Sequence, residues 1–323
     1  MGDGHKRFPF RNDPFSWYGV GYVDDWEPGD VKPAHWLGRE LVVWRDHAGG
    51  FHVQDAYCPH LGAHLGVGGT VTDESCIKCP FHGWEFDAAG ACARVPYSDR
   101  LNKKARVRTY PTRDHAGIVW MWWHPEGAEP MFDLPAIPEY HDPEFTDYVY
   151  RSWTISSVLQ EMGENSADPA HFRYVHGTDT VPEVDRYEVD GYTWKIWTSQ
   201  KFVTPRGVTD ARIDVESYGR GVSITRFAGI IDTTLVAWQT PVDEDRTTVN
   251  FAFRTRKLAD EKMTSTVADA FVAELSKQIT EDIPIWENKA YLPVPALAAE
   301  DGPVMEYRKW CKQFYTEAQL TES

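Results

Sequence analysis

Four of the five cysteines, Cys58, Cys76, Cys79 and Cys92, fall within one stretch of 35 residues that also holds His60 and His82. Cys58 and His60 form a C-x-H pair and Cys79 and His82 a C-x-x-H pair, with 18 residues between them. Each pair sits on its own loop containing Gly and Pro, within YCPHLGAHLGVGG and CIKCPFHGWEF. Loops of this kind bend where bulkier residues resist bending, and they can aim amide groups at sulfur. Two thiolates suit one iron and two imidazoles another, which is the mixed ligand set of one class of [2Fe–2S] centre. Zinc also takes two Cys and two His, but its commoner order places a Cys pair before a His pair, whereas each loop here supplies one of each. A Cys76–Cys79 redox dithiol would leave Cys58, His60 and His82 without a role. Cys76, Cys92, Cys311 and His64 read as packing residues.

The chain around this cluster is long enough, at 323 residues, for two moderate cores. Residues 35–125 read as short strands: LVVWRD, HAGG and FHVQDAY spell one hairpin, and WEFD, AAG and ACARV another. A Pro- and acid-rich connector at 124–144 follows, so the expected division is a cluster-binding domain with an N-terminal extension over 1–135 and a second domain over 136–323. In the second domain, 156–176 reads as interrupted helix and 186–257 as alternating segments of an antiparallel sheet. A late amphipathic helix spans roughly 261–281. The expected class is α+β, an antiparallel β domain followed by an antiparallel sheet packed against helices in a helix-grip, START-like arrangement. The formal net charge of -16 disfavours nucleic-acid partners, which would need a basic patch, and none stands out. No apolar run resembles an export signal, and GIVWMWW at 117–123 is too short to span a bilayer, so a soluble cytoplasmic protein with no membrane span is expected. Without export, clustered cysteines suggest metal binding over disulfides.

A second constellation lies in ENSADPAHFRYVHG, where Asp168, His171 and His176 are spaced D-x-x-H-x-x-x-x-H. Asp168 and Pro169 form a good N-cap and first-turn pair, which puts His171 in a first turn and His176 near the helix end. On an ideal helix five positions separate side chains by about 140°, so both imidazoles reach one ion only if the helix is irregular or ends between them. An N-cap aspartate and two packed imidazoles would account for the same residues. If they do bind metal, two imidazoles and a carboxylate make a facial triad with positions open for O₂, and the carboxylate must come from elsewhere. Measured from Phe271 on the late helix, Leu275 falls at about 40°, Ile279 at about 80° and Asp282 at about 20°, while Glu281 falls at about 280°, towards solvent. An inward aspartate needs a metal or an ion pair with an arginine, so Asp282 is the candidate third ligand.

CPHLGAHLGVGG followed by CPFHGWEFD resembles the Rieske domains of ring-hydroxylating and steroid-modifying oxygenases, and the D-x-x-H-x-x-x-x-H stretch resembles the mononuclear-iron motif of the same family. The details HLGAHLGVGG, ARVPYSDRLNKKARVRTYPT and ADPAHFRYVH are most like the branch of 3-ketosteroid 9α-hydroxylase oxygenases and cholesterol 7-desaturases. The resemblance covers most of residues 15–180 and beyond that rests on the late helix. It implies a [2Fe–2S] Rieske cluster on Cys58, His60, Cys79 and His82, and a mononuclear Fe(II) on His171, His176 and Asp282. Asp168 would then link a cluster histidine of one subunit to an iron-bound histidine of its neighbour in a homo-oligomer, usually a trimer, and Asn165 matches a polar residue often found near the iron. Electrons would come from NAD(P)H through a separate ferredoxin-type reductase, since no G-x-G-x-x-G follows a strand here. The partners implied are that reductase, O₂ and a hydrophobic small molecule, hydroxylated or desaturated. Trp194, Trp197, Phe202, Phe227, Trp238, Phe251 and Phe253 suit a flat steroid-like ligand but also an ordinary core. Aromatic acids or other small hydrophobes are the competing substrates. An electron carrier with only the first site, or a zinc-stabilised lipid-binding protein, are the readings from other classes.

Overall fold

The computed structural model describes residues 7–204, 207–229, 231–298 and 300–321, and the chain divides into two compact units. The first, Trp17–Met131, is built of β-strands apart from one 3₁₀ turn at Val23–Asp25. Strands β1 (Ser16–Tyr22), β11 (Ile118–Trp123) and β10 (Thr112–His115) form one sheet with β11 central. β11, IVWMWW, is buried at every position, which is why it reads as a continuous apolar run and not as an alternating one. A second sheet runs β2 (Val31–Trp36), β3 (Arg39–Arg45), β4 (Phe51–Asp55), β9 (Thr109–Tyr110), and a third runs β5 (Thr70–Val71), β6 (Ile77–Lys78), β7 (Glu85–Phe86), β8 (Cys92–Arg94). The two expected hairpins are β3–β4 and β7–β8. Val42, Trp44, Leu65, Ile77 and Phe86 share one core cluster with Cys58 and Cys79, so the two loops are footed in packed side chains.

The second unit holds a seven-stranded antiparallel sheet in the order β12 (Val149–Ile155), β18 (Thr247–Thr255), β17 (Thr233–Pro241), β16 (Val222–Ala228), β15 (Gly207–Tyr218), β14 (Thr193–Thr204), β13 (Glu183–Asp190). β13 to β18 are consecutive hairpins, and β12 adds at the β18 edge. Between β12 and β13 the chain makes α1 (Leu159–Gly163), a 3₁₀ turn over Glu164–Ala167 and α2 (Ala170–Tyr174), the interrupted helix expected for 156–176. The late helix α3 (Glu261–Trp286) starts on the Asp260 N-cap, whose side chain accepts from the Met263 N–H at 2.8 Å. It continues past the expected end through Pro284, because Trp286 in its last turn is buried at 5% exposure. Val272 and Trp286 pack with Phe251, Phe253 and Leu235 of the sheet, and Phe227 meets Phe271 edge-on at 5.5 Å. Trp194, Phe251 and Phe253 are core residues, while the side chain of Phe202 lies outside the described residues.

α4 (Val304–Cys311) is clamped to the 3₁₀ turn by the Arg308 guanidinium, which donates from Nε and Nη2 to the two oxygens of Glu164 at 2.7 and 2.9 Å. The N-terminal stretch was expected with the cluster-binding unit, but residues 7–16 belong to the second. The Phe15 N–H donates to the Phe314 carbonyl at 2.9 Å, and Asn12 Nδ2 to Thr247 Oγ1 at 3.1 Å. The first bond pairs a backbone group and the second a side-chain amide, both of which need partners when a stretch without regular structure is buried. No helix among the described residues is long and apolar enough to cross a membrane.

Candidate metal centres

The two Cys–His loops close in the same way. The Cys58 N–H donates to the Ala63 carbonyl and the Gly62 N–H to the Cys58 carbonyl, both at 2.9 Å. In the second loop the Cys79 N–H donates to the Trp84 carbonyl at 2.8 Å and the Gly83 N–H to the Cys79 carbonyl at 3.1 Å. Gly62 and Gly83 take φ of 75° and 67°, the left-handed region that only glycine enters without strain. A Cβ on Gly83 would in addition sit 3.2 Å from Pro96.

Both candidate thiols are buried and free. Burial pushes the Cys58 thiol up to about 11, and the Cys79 sulfur beside it adds to the shift. The rings of His60 and His82 meet edge-on with centroids 4.7 Å apart. Nδ1 of each ring is buried with no hydrogen-bond partner. A buried imidazole nitrogen normally finds a partner, so two of them orphaned together beside two thiols are the donor set that a cluster would satisfy. Trp84 stacks on His60 at 4.5 Å and 10°. Cys76, Cys92 and Cys311 are buried free thiols, and His64 accepts from the Gly66 N–H and packs edge-on against Tyr57, as packing residues do.

In the second unit α2 ends at Tyr174, between the two candidate histidines, so the irregularity that the spacing requires is a helix stop. Gly177 at φ 69° turns the chain, and the Thr178 N–H returns to the Phe172 carbonyl at 3.2 Å. The N-cap of α2 is Pro169, not Asp168 as the sequence suggests, so Asp168 stands one residue earlier; its Oδ1 accepts from the Ala170 N–H at 3.0 Å, and its carbonyl oxygen holds His171 Nδ1. Asp282 is buried at 6% exposure on α3, and its Oδ2 faces His176 Nε2 at 3.4 Å. Among the described residues it pairs with no arginine. Ligand atoms of His171, His176 and Asp282 all lie within 4.8 Å of one another. Two imidazoles and one carboxylate at that separation fit a single ion with coordination positions left open.

Burial holds the His171 imidazole below its usual range against the pull of Asp282. Burial works the same way on His176, but hydrogen bonds to Asp282 and Glu281 outweigh it and raise the group. Glu281 does not face solvent as the helical wheel places it. Its Oε2 holds His176 Nδ1 at 3.0 Å, and Lys277 Nζ approaches its Oε1 at 3.3 Å. The wheel angle describes the Cβ direction only; a glutamate's two methylenes let it lean along the helix flank to the segment that carries His176. Each imidazole therefore has Nδ1 engaged, His171 by a carbonyl and His176 by a carboxylate.

The three candidate ligands line one cavity between α3 and the sheet. Ile196, Val215, Phe227, Leu235, Phe251 and Leu275 make apolar walls, and Thr198, Ser217, Ser223 and Gln239 add neutral polar groups. Asn165 also lines it, with Oδ1 accepting from Trp286 Nε1 at 3.2 Å. Trp286 was missed in the sequence, although it falls at about 60° on the same wheel as Leu275 and Asp282.

Residues 16–111 match the Rieske [2Fe-2S] domain, and residues 121–315 match the 3-ketosteroid 9alpha-hydroxylase C-terminal domain. The chain is 31% identical to a 3-ketosteroid-9-alpha-monooxygenase oxygenase component of Rhodococcus rhodochrous, over 93% of this chain and 83% of that protein. It is 30% identical to the cholesterol 7-desaturase of Caenorhabditis elegans, over 94% of this chain and 77% of that one. Among solved structures, dicamba monooxygenase bound to dicamba shares the fold at a TM-score of 0.77 and 19% identity, over 97% of this chain and 98% of that one. With a Rieske domain joined to a steroid-hydroxylase type of catalytic domain, the chain belongs to the Rieske oxygenases, as an enzyme of the branch that holds 3-ketosteroid 9alpha-monooxygenase oxygenase components and cholesterol 7-desaturases.

Proposed function

We propose that this chain is the terminal oxygenase of a multicomponent system that hydroxylates or desaturates a neutral, steroid-like substrate with O₂ and with electrons from NAD(P)H delivered by a separate reductase. The observation that carries the reading is the placing of His171, His176 and Asp282 together on the wall of an apolar cavity. These three would hold a mononuclear iron, which when bound supplies the activation of O₂. Cys58, His60, Cys79 and His82 would hold the cluster.

The chain's own residues do the positioning. The apolar walls exclude water and orient a flat hydrophobic skeleton. Thr198, Ser217, Ser223 and Gln239 offer hydrogen bonds to a neutral oxygen function. Among the described residues that line the cavity, Arg220 is the one lysine or arginine, and it turns its guanidinium to the Tyr307 hydroxyl and the Leu159 carbonyl, which favours a neutral ligand over an aromatic acid. By the family resemblance, Asp168 would bridge a neighbouring subunit's cluster and the iron that His171, His176 and Asp282 would hold, within a homotrimer, and Asn165 would stand near that iron, where its Oδ1 accepts from Trp286 Nε1.

The test is metal and acid-labile sulfide analysis with an EPR spectrum of the dithionite-reduced protein. About three irons and two sulfides per chain with a Rieske signal are expected. Zinc in place of iron would overturn the reading, and a Rieske signal without O₂ consumption on any steroid would reduce it to an electron carrier.

A further inference from the structure

Acidic residues outnumber basic ones 49 to 33 in this chain, yet residues 94–108 carry six basic residues, Arg94, Arg100, Lys103, Lys104, Arg106 and Arg108, against the single acid Asp99. This is a basic patch where none stood out in the overall composition. All but Arg108 are exposed. Arg94 pairs with Glu85 at 3.0 Å, whereas Arg100, Lys103 and Lys104 have no ion-pair partner among the described residues. Exposed Tyr97 and Leu101, at 61% and 47%, stand among them.

A run of charge alone would be no more than a solvated loop, but this one is wired to the first metal centre. Trp84 Nε1 donates to the Tyr97 hydroxyl at 2.7 Å, and the Trp84 indole stacks on the imidazole of His60. A contiguous aromatic path therefore runs from the exposed loop to a candidate cluster ligand.

We propose that the 94–108 loop is the landing surface for the electron donor, an acidic iron–sulfur protein or domain, and that its electron enters beside Tyr97 and Trp84. The inference rests on the proposed dependence on a separate donor. One electron leaves the donor's reduced centre and arrives at the cluster held by Cys58, His60, Cys79 and His82. The donor is oxidised by one electron, the cluster is reduced by one, and no covalent bond forms or breaks. Unpaired lysines suit this occupant better than a second copy of the chain: lysine is depleted in lasting interfaces, whereas electron-transfer partners meet in small, transient contacts steered by charge.

The experiment uses the holoenzyme and a plant-type [2Fe–2S] ferredoxin as the acidic probe. Association is followed by stopped flow and equilibrium titration across ionic strength, with light scattering for oligomeric state. Lys103→Glu/Lys104→Glu should slow association by about tenfold or more at low salt, with the difference closing as salt screens it. Lys103→Arg/Lys104→Arg should behave as wild type, and so should Lys262→Glu/Lys309→Glu, which makes the same change in net charge on exposed α3 and α4 positions. Unchanged association in the first variant would overturn the inference, as would an equal loss in the α3/α4 control. A changed oligomeric state would assign the loop to a contact between copies. A protein without cluster iron would sink the functional reading instead, whereas a cluster that dithionite reduces normally while the charge reversal has no effect would sink only this inference.

Discussion

His176 lies two residues past the end of α2, so its ring is fixed by no helical turn and depends on the Glu281 carboxylate. A partner on the outer nitrogen of an imidazole sets the tautomer and aims the other nitrogen, and losing such a partner typically lowers metal affinity by about 10–100-fold. Glu281→Ala should weaken Fe(II) or Co(II) binding at the second centre by that order, read by equilibrium dialysis, while the Rieske EPR signal stays intact. Glu281→Gln, which keeps an acceptor but not the charge, should fall between; wild-type affinity in both would remove Glu281 from the site. Asp168 is a different case, since within one chain its carboxylate accepts from the Ala170 N–H while its carbonyl holds His171. Asp168→Asn keeps an Oδ1 acceptor for the Ala170 N–H, so both metals should remain bound and coupled turnover should be lost. Normal coupled activity in that variant would end its assignment as the electron bridge.

Among the elements, the segment α1–3₁₀–α2 carries His171 and leads directly into the turn that carries His176, yet its helices are five residues long and too short to hold themselves. The Arg308–Glu164 pair, both nearly buried, ties this segment to α4. Removing one partner strands the other's charge, so Arg308→Leu should destabilise the fold by about 3–5 kcal/mol. Urea unfolding followed by circular dichroism checks this; a loss under about 1 kcal/mol would mean that Lys289, whose Nζ lies 3.8 Å from Glu164 Oε2, neutralises Glu164 by itself. Elements fixed by local pattern were legible in the sequence: the two hairpins, the stop between His171 and His176, and the inward face of α3 with Asp282. What escaped depends on long-range partners. The stretch RFPFRNDPF gives no local sign that it pairs with Phe314 and Thr247, and no wheel shows that the Glu281 side chain leans across to His176.

At the scale of the whole molecule, the proposed function would divide the labour between the two units, one storing an electron and the other spending it. The catalytic unit divides it again. One wall of its cavity, α3, supplies Leu275, Ile279 and Trp286 together with the candidate ligand Asp282, and it also carries Glu281, which holds His176. The facing wall is sheet, and its strands supply Ile196, Thr198, Val215, Ser217, Ser223 and Gln239 but none of the candidate ligands. For anyone retuning this enzyme to accept a new compound, the two walls are unequal ground. A bulky change on the helix would move the rod that carries the candidate ligand Asp282, whereas the strands can be resculpted position by position with His171, His176 and Asp282 left alone. Libraries built on β14 to β17 should therefore retain more metallated, active members than libraries of the same size built on α3.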